Sequence, residues 1–267
     1  MIADHPSFHL RPGTTPLLVS LPHCGELIPD ELKPRYHPRA LAVEDTDWHL
    51  HRLYAFAAAM GASVLQPRAS RFVIDLNRPP DDAPMYPGAN NTGLCPRCFF
   101  TGEPIYADGA APTPAEIRQR IAQWWQPYHG AIATELARLR AAHGHAVIFD
   151  GHSIKSELPW LFDGTLPAMN IGTVGGTSCD PSLRARVGAV FAAQSDYSHV
   201  IDGRFKGGHI TRHFGRPGDG IHAVQLEMCW RAYMEETPPC VWHEGRAAAV
   251  TPLLRALVQT LLDWRPR

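Results

Sequence analysis

Short apolar runs rich in β-branched residues alternate along this chain with segments whose apolar positions recur every three or four residues. The first pattern predicts strands at 17–21, 63–66, 71–76, 146–150 and 222–227. The second predicts a helix over 47–60, where Leu50, Leu53, Tyr54 and Ala57 share a face and Gly61 stands at the stop position. Thr113-Pro114-Ala115-Glu116 combines a capping box with proline at the first helical position, opening a long helix that stops at Gly144. Asp180-Pro181 opens another helix, and a last one covers about 247–264. Two stretches, 77–112 and 156–180, follow neither period and are rich in Gly, Pro and Asn, as functional loops over a site are. No repeat or low-complexity linker divides the sequence, so one domain over 1–267 is the simplest organisation. Strands alternating with helices predict an α/β fold: a three-layer αβα sandwich around a mixed, mainly parallel sheet.

Composition narrows the class without changing that picture. The chain is 45% hydrophobic and 19% charged, with 25 basic against 26 acidic residues, as in an ordinary globular enzyme. No basic run points to nucleic acid, and no apolar stretch approaches the ~20 residues that span a bilayer. Met1-Ile2-Ala3-Asp4-His5-Pro6 lacks the charged and apolar regions of a signal peptide, so a cytoplasmic location is expected. Six cysteines in 267 residues do not make a disulfide scaffold. Cys95 and Cys98 form the only CxxC and read as two loop thiols, a redox or metal role being the alternative. Fifteen histidines leave a large pool of potential ligands.

Five segments carry candidate chemistry. In "SLPHCGELIP", His23 sits on a sharp turn at the mouth of a strand, with Glu26 three residues on. In "EDTDWH", Asp45 and Thr46 read equally well as helix caps, whereas Asp47 is one acid more than a cap requires. In "AVIFDGHSIKS" a strand ends on Asp150-Gly151-His152-Ser153, and two strand-end histidines with one carboxylate match a catalytic zinc with an open position. Asp150 is placed to orient a ligand histidine. Gly151-His152-Ser153 begins like a nucleophile elbow but lacks its closing glycine. "FVIDLNRPPDD" puts Asn77 and Arg78 at a strand end, suited to a carboxylate, although Arg78 paired with Asp81 or Asp82 is the plainer alternative. Finally, "GRFKGGHITRHFGRPGDG" groups Arg204, Lys206, His209, Arg212 and His213 as a cationic flap, and Glu227 ends the apolar strand that follows. A carboxylate there is costly unless paired, metal-linked or catalytic, which makes Glu227 the candidate general base.

"PHCG", "DTDWH", "SRFVIDLNRP", "DGHSI", "GRFKGGHITRHFG" and "HAVQLE", in this order across most of the chain, resemble the signature segments of the N-formylglutamate deformylase (amidohydrolase) family. That family is distantly similar to zinc carboxypeptidases. The resemblance implies a carboxypeptidase-like fold, Zn²⁺ held by His23, Asp47 and His152, and Glu227 as base. It further implies Asn77 and Arg78 as carboxylate clamp, with Arg212 or His209 facing the oxyanion and the flap taking a second carboxylate. For the acidic ligand, carboxypeptidase spacing points instead to Glu26. The implied substrate is a small dicarboxylate, N-formyl-L-glutamate of histidine degradation. The alternatives are another N-acyl or formimino amino acid, an anion- or metal-binding module, and a hydrolase using Ser153 or Cys24.

Overall fold

A computed structural model describes residues 3–85, 88 and 90–266. Its strands are β1 Ala3–His5, β2 Phe8–Arg11, β3 Leu17–Ser20, β4 Ser63–Pro67, β5 Ala146–Ile154, β6 Met169–Gly172, β7 His199–Ile201 and β8 Ile221–Cys229. They form an eight-stranded sheet in the order β1-β2-β4-β3-β5-β8-β6-β7. The centre, from β4 through β3 and β5 to β8, is parallel; β1-β2, β2-β4 and β6-β8 are antiparallel. The helices are α1 Leu50–Leu53, α2 Ala55–Ala59, α3 Pro114–Arg120, α4 Gln126–His143, α5 Pro181–Ala192, α6 His209–Phe214 and α7 Glu244–Asp263.

Strand alternation sorts the core into two layers. Leu17, Val19, Val147, Phe149, Val224 and Leu226 pack with α1, α2, α5 and α7 on one face. Leu18, Ile148, Ile221 and Ala223 pack with α4 and α6 on the other. This is the αβα sandwich that the alternating pattern predicts. Among the described residues no helix is long and apolar enough to cross a membrane.

Several boundaries differ from the sequence reading. The 71–76 run is a buried turn rather than a strand: Val73 N donates back to Ser70 O at 2.9 Å. Its carbonyls are met by side chains instead of a neighbouring strand, Phe72 O by Tyr36 Oη, Val73 O by Arg120 Nη1 and Leu76 O by His129 Nε2. The 47–60 helix begins only at Leu50, after His49 in the left-handed region, and breaks at Tyr54. β5 and β8 are each nine residues long and wholly buried, so His152 and Glu227 lie within strands, and no nucleophile elbow forms around Ser153. The short strands β1, β2, β6 and β7 were not anticipated.

Candidate metal centre and active site

β3 runs into the turn that carries His23, and that turn packs tightly against the chain after β4. A Cβ on Gly25 would lie 2.9 Å from the carbonyl carbon of Ala69, so only glycine fits there. β5 supplies Asp150 and His152 on the face that α4 and α6 cover. Asp47 comes from the turn before α1, where its N–H donates to His23 O at 3.0 Å and its Oδ2 accepts Ser153 N–H at 3.1 Å. These contacts bring three polar atoms together. His152 Nδ1 is 3.1 Å from His23 Nδ1 and 3.2 Å from Asp47 Oδ2, and His23 Nδ1 is 3.7 Å from that same oxygen. All three side chains are buried, and their ligand atoms lie within 4.8 Å of one another. Two imidazole nitrogens and a carboxylate oxygen converging in this way form a group that could hold a metal ion. Two histidines and one acid are a donor set suited to a divalent ion.

A second layer of carboxylates backs the two rings. His23 Nε2 lies 2.7 Å from Asp75 Oδ1, and Arg71 Nη2 donates to Asp75 Oδ2 at 2.7 Å. His152 Nε2 lies 3.2 Å from Asp150 Oδ1. Carboxylates placed behind imidazoles turn the opposite ring nitrogens inward and raise their basicity as ligands. Burial pushes the Asp75 carboxyl up, but His23 and Arg71 override it and hold the group well below the usual carboxylate range. Burial likewise opposes ionisation of Asp47, and its contacts with His152 and His23 prevail, leaving it low. Burial disfavours charge on His152, yet Asp150 and Asp47 hold its pKa well above that of a free imidazole.

Glu227 enters through strand register. β5 and β8 pair in parallel with His152 directly opposite Glu227, so both side chains emerge on one face. Burial raises the Glu227 carboxyl above the ordinary range; the His152 charge opposes this and Asp47 adds to it. A carboxyl so tuned can take and return a proton near neutral pH.

His23, His152 and Glu227 line a cavity that also receives Arg71, Arg78 and Arg204. Arg71 was not singled out from sequence. Its signal is the Arg71/Asp75 spacing of four residues, which here closes as a buried ion pair. Arg78 is anchored through Thr92 O at 2.9 Å and Thr92 Oγ1 at 3.2 Å rather than through Asp81 or Asp82. The structure does not bring Arg212 or His209 into this cavity. Arg212 is exposed and donates Nε to Gly207 O at 2.9 Å, and His209 packs among Trp125, His129 and His213. Arg204, earlier in the same glycine-rich segment, reaches the cavity instead. Glu26 is exposed, and Asp45 accepts Phe100 N–H at 2.9 Å, which leaves Asp47 as the acid beside the imidazoles. Tyr233 Oη donates to Trp48 O, so Ser153 Oγ donates its own hydrogen to Tyr233 and has no base. Burial and Asp47 push the Cys24 thiol far up, away from a nucleophilic thiolate. Cys95 and Cys98 are both free thiols, Cys95 buried.

Comparison with known proteins places the chain in a family. The family model described as N-formylglutamate amidohydrolase matches residues 15–234. The chain is 50% identical over 258 residues to the N-formylglutamate deformylase of Pseudomonas putida, covering 97% of this chain and 96% of that protein. It is also 50% identical to the enzyme of the same name from Pseudomonas aeruginosa, with 94% of each covered. The crystal structure of N-formylglutamate amidohydrolase from Ralstonia eutropha JMP134 superposes with a TM-score of 0.79 at 25% identity, covering 96% of both chains. The Agrobacterium tumefaciens product Atu2144 has the same fold, with a TM-score of 0.72 at 19% identity over 96% of this chain and 95% of that one. The chain therefore belongs to the N-formylglutamate amidohydrolase family.

Proposed function

We propose that this protein hydrolyses N-formyl-L-glutamate to L-glutamate and formate, with zinc as the ion held by His23, Asp47 and His152. A divalent ion bound there supplies Lewis acidity to the formyl oxygen and to the attacking water. Glu227 takes one proton from that water as its oxygen adds to the formyl carbon. It then returns the proton to the nitrogen as the C–N bond breaks, so glutamate departs as an amine. Arg71, packed between Asp75 and the ring of Phe100, faces the charge that develops on the formyl oxygen. Arg78 and Arg204, both lining the cavity, hold the substrate carboxylates. This role for Arg71 and Arg204 replaces the one the sequence suggested for Arg212 and His209.

One observation carries this reading: a buried two-histidine, one-carboxylate set whose second histidine faces a buried glutamate across a strand pair, beneath three arginines. The test is formate release by purified protein. N-formylglutamate is expected to be turned over, and a chelator is expected to stop it. Glu227→Gln should lose roughly 10²–10⁴-fold in kcat with zinc content unchanged. Arg78→Ala should act mainly on KM. Faster turnover of N-acetyl- or N-formiminoglutamate would reject the formyl assignment, and activity that survives complete metal removal would reject the metal.

A further inference from the structure

We infer that Asn77 is a positioning residue rather than a substrate ligand: its side-chain amide couples the His152 side of the metal centre to the glycine-rich segment that carries Arg204 into the cavity. The inference rests on the reading of the site given above. It departs from the sequence expectation that Asn77 joins Arg78 in holding a carboxylate.

Asn77 borders the cavity but is only 3% exposed, and each of its polar atoms has a partner or close neighbour within the protein. Its N–H donates to Asp75 Oδ1 at 2.9 Å, the oxygen that also faces His23 Nε2. Its carbonyl accepts His209 N–H at 3.3 Å, and Oδ1 accepts Ile210 N–H at 2.7 Å, so both ends of the residue hold the first turn of α6. Nδ2 donates to Asp150 Oδ2 at 3.2 Å and rests 2.8 Å from His152 Nε2. A substrate carboxylate needs a free donor. One Nδ2 hydrogen goes to Asp150, and the His152 ring, packed 2.8 Å from Nδ2, occupies the space beside that nitrogen. The Arg78 guanidinium, by contrast, keeps N–H groups beyond those given to Thr92 and Asn77 O.

The glycine-rich segment meets the amide at Gly208. A Cβ there would fall 2.6 Å from Asn77 Cγ and closer still to Nδ2, so glycine lets the backbone lie against the amide. On its other side Gly208 N–H donates to Gln225 Oε1 at 2.6 Å, on the strand that carries Glu227. The segment is clamped between Asn77 and β8. Its register, and with it the entry of Arg204 into the cavity, is tied to the carboxylate behind His152.

The test compares Asn77→Ser, Asn77→Asp and Arg78→Ala by zinc retention against graded chelator, by kcat and KM on N-formylglutamate, and by the Ki of glutarate, an unreactive dicarboxylate. Asn77→Asp keeps an acceptor for Ile210 but sets a carboxylate against Asp150. Both Asn77 variants are expected to lose zinc at roughly 10-fold lower chelator and to lose about 10–100-fold in kcat, the range seen when groups behind metal ligands are removed. Glutarate Ki should stay within about threefold, whereas Arg78→Ala should weaken glutarate and retain zinc. Gly208→Ala leaves residue 77 intact and should also loosen zinc; adding Asn77→Ser should restore part of that loss, because the collision is gone. Asn77 variants that hold zinc normally overturn the proposal, whether glutarate binding is weakened as in Arg78→Ala or unchanged. Failure of the functional reading is a separate result: wild-type protein with zinc would release no formate, while the zinc-retention arms would still report on Asn77.

Discussion

At the scale of single residues, Asp75 is the group on which most of the site's geometry turns. It meets His23 through one oxygen and Arg71 through the other, both at 2.7 Å, and takes the Asn77 N–H as well. Replacing it by asparagine keeps the shape but removes the charge that orients His23 and balances Arg71. Asp75→Asn should weaken zinc binding about 10–100-fold in a competition titration. It should also lower stability by roughly 3–5 kcal/mol in denaturant unfolding, because Arg71 is left buried without its partner. The convergence of His23, Asp47 and His152 was legible in the sequence. His23, His152 and Glu227 stand out as polar residues at the ends of apolar runs, where burial needs a reason, and Asp47 as one acid more than a helix cap requires. Arg71 and Asp75 did not stand out as a pair, since the run containing them passes for a strand. Arg212 stood out for its charge, but charge density along a segment does not say which cation points inward.

At the scale of elements, local signals decide what can be read. Thr113 caps α3 in a full capping box with Glu116, Gly144 ends α4 at φ +80, and Asp180 caps α5 by accepting Ser182 N–H. Each device uses residues within one turn of itself, so sequence alone specifies it. Thr113→Ala should therefore cost about 1 kcal/mol in equilibrium unfolding, with kcat and KM unchanged because the cap lies outside the cavity. The 70–78 turn is the opposite case. His129 Nε2 donates to Leu76 O at 2.8 Å and Trp125 Nε1 to Arg78 O at 2.9 Å, bracketing Asn77 from a helix some fifty positions away. Trp125 sits in a single π-turn, Ile121–Trp125, between α3 and α4, and no local pattern announces such a turn. Partners that distant leave no mark in a window of neighbours.

At the scale of the whole molecule, both faces of the sheet carry buried imidazoles. Burial lowers the pKa of His129 to about 3 and that of His209 and His222 to about 4. An unfolded histidine titrates near 6.5, so between these values the unfolded chain binds more protons than the folded one. Their contribution is complete above about pH 6.5 and is lost as pH falls through that window. The thermal midpoint should drop by several degrees or more from pH 7.5 to pH 4.5, and His129→Gln, which can still donate to Leu76 O, should flatten the slope. The layered architecture followed from the alternation of patterns, whereas the edge strands did not. Strands of three or four residues, such as β1 and β7, are too short for a period to emerge. The pairing of His152 with Glu227 has a wider implication. Both positions belong to interior strands of the sheet, so the bond-breaking apparatus proposed above would be inherited with the hydrophobic interior, while Arg78 and Arg204 hang from loops. Descendants of such a protein can accumulate changes in those loops and acquire new acyl amino acids, with the hydrolytic step carried along unaltered.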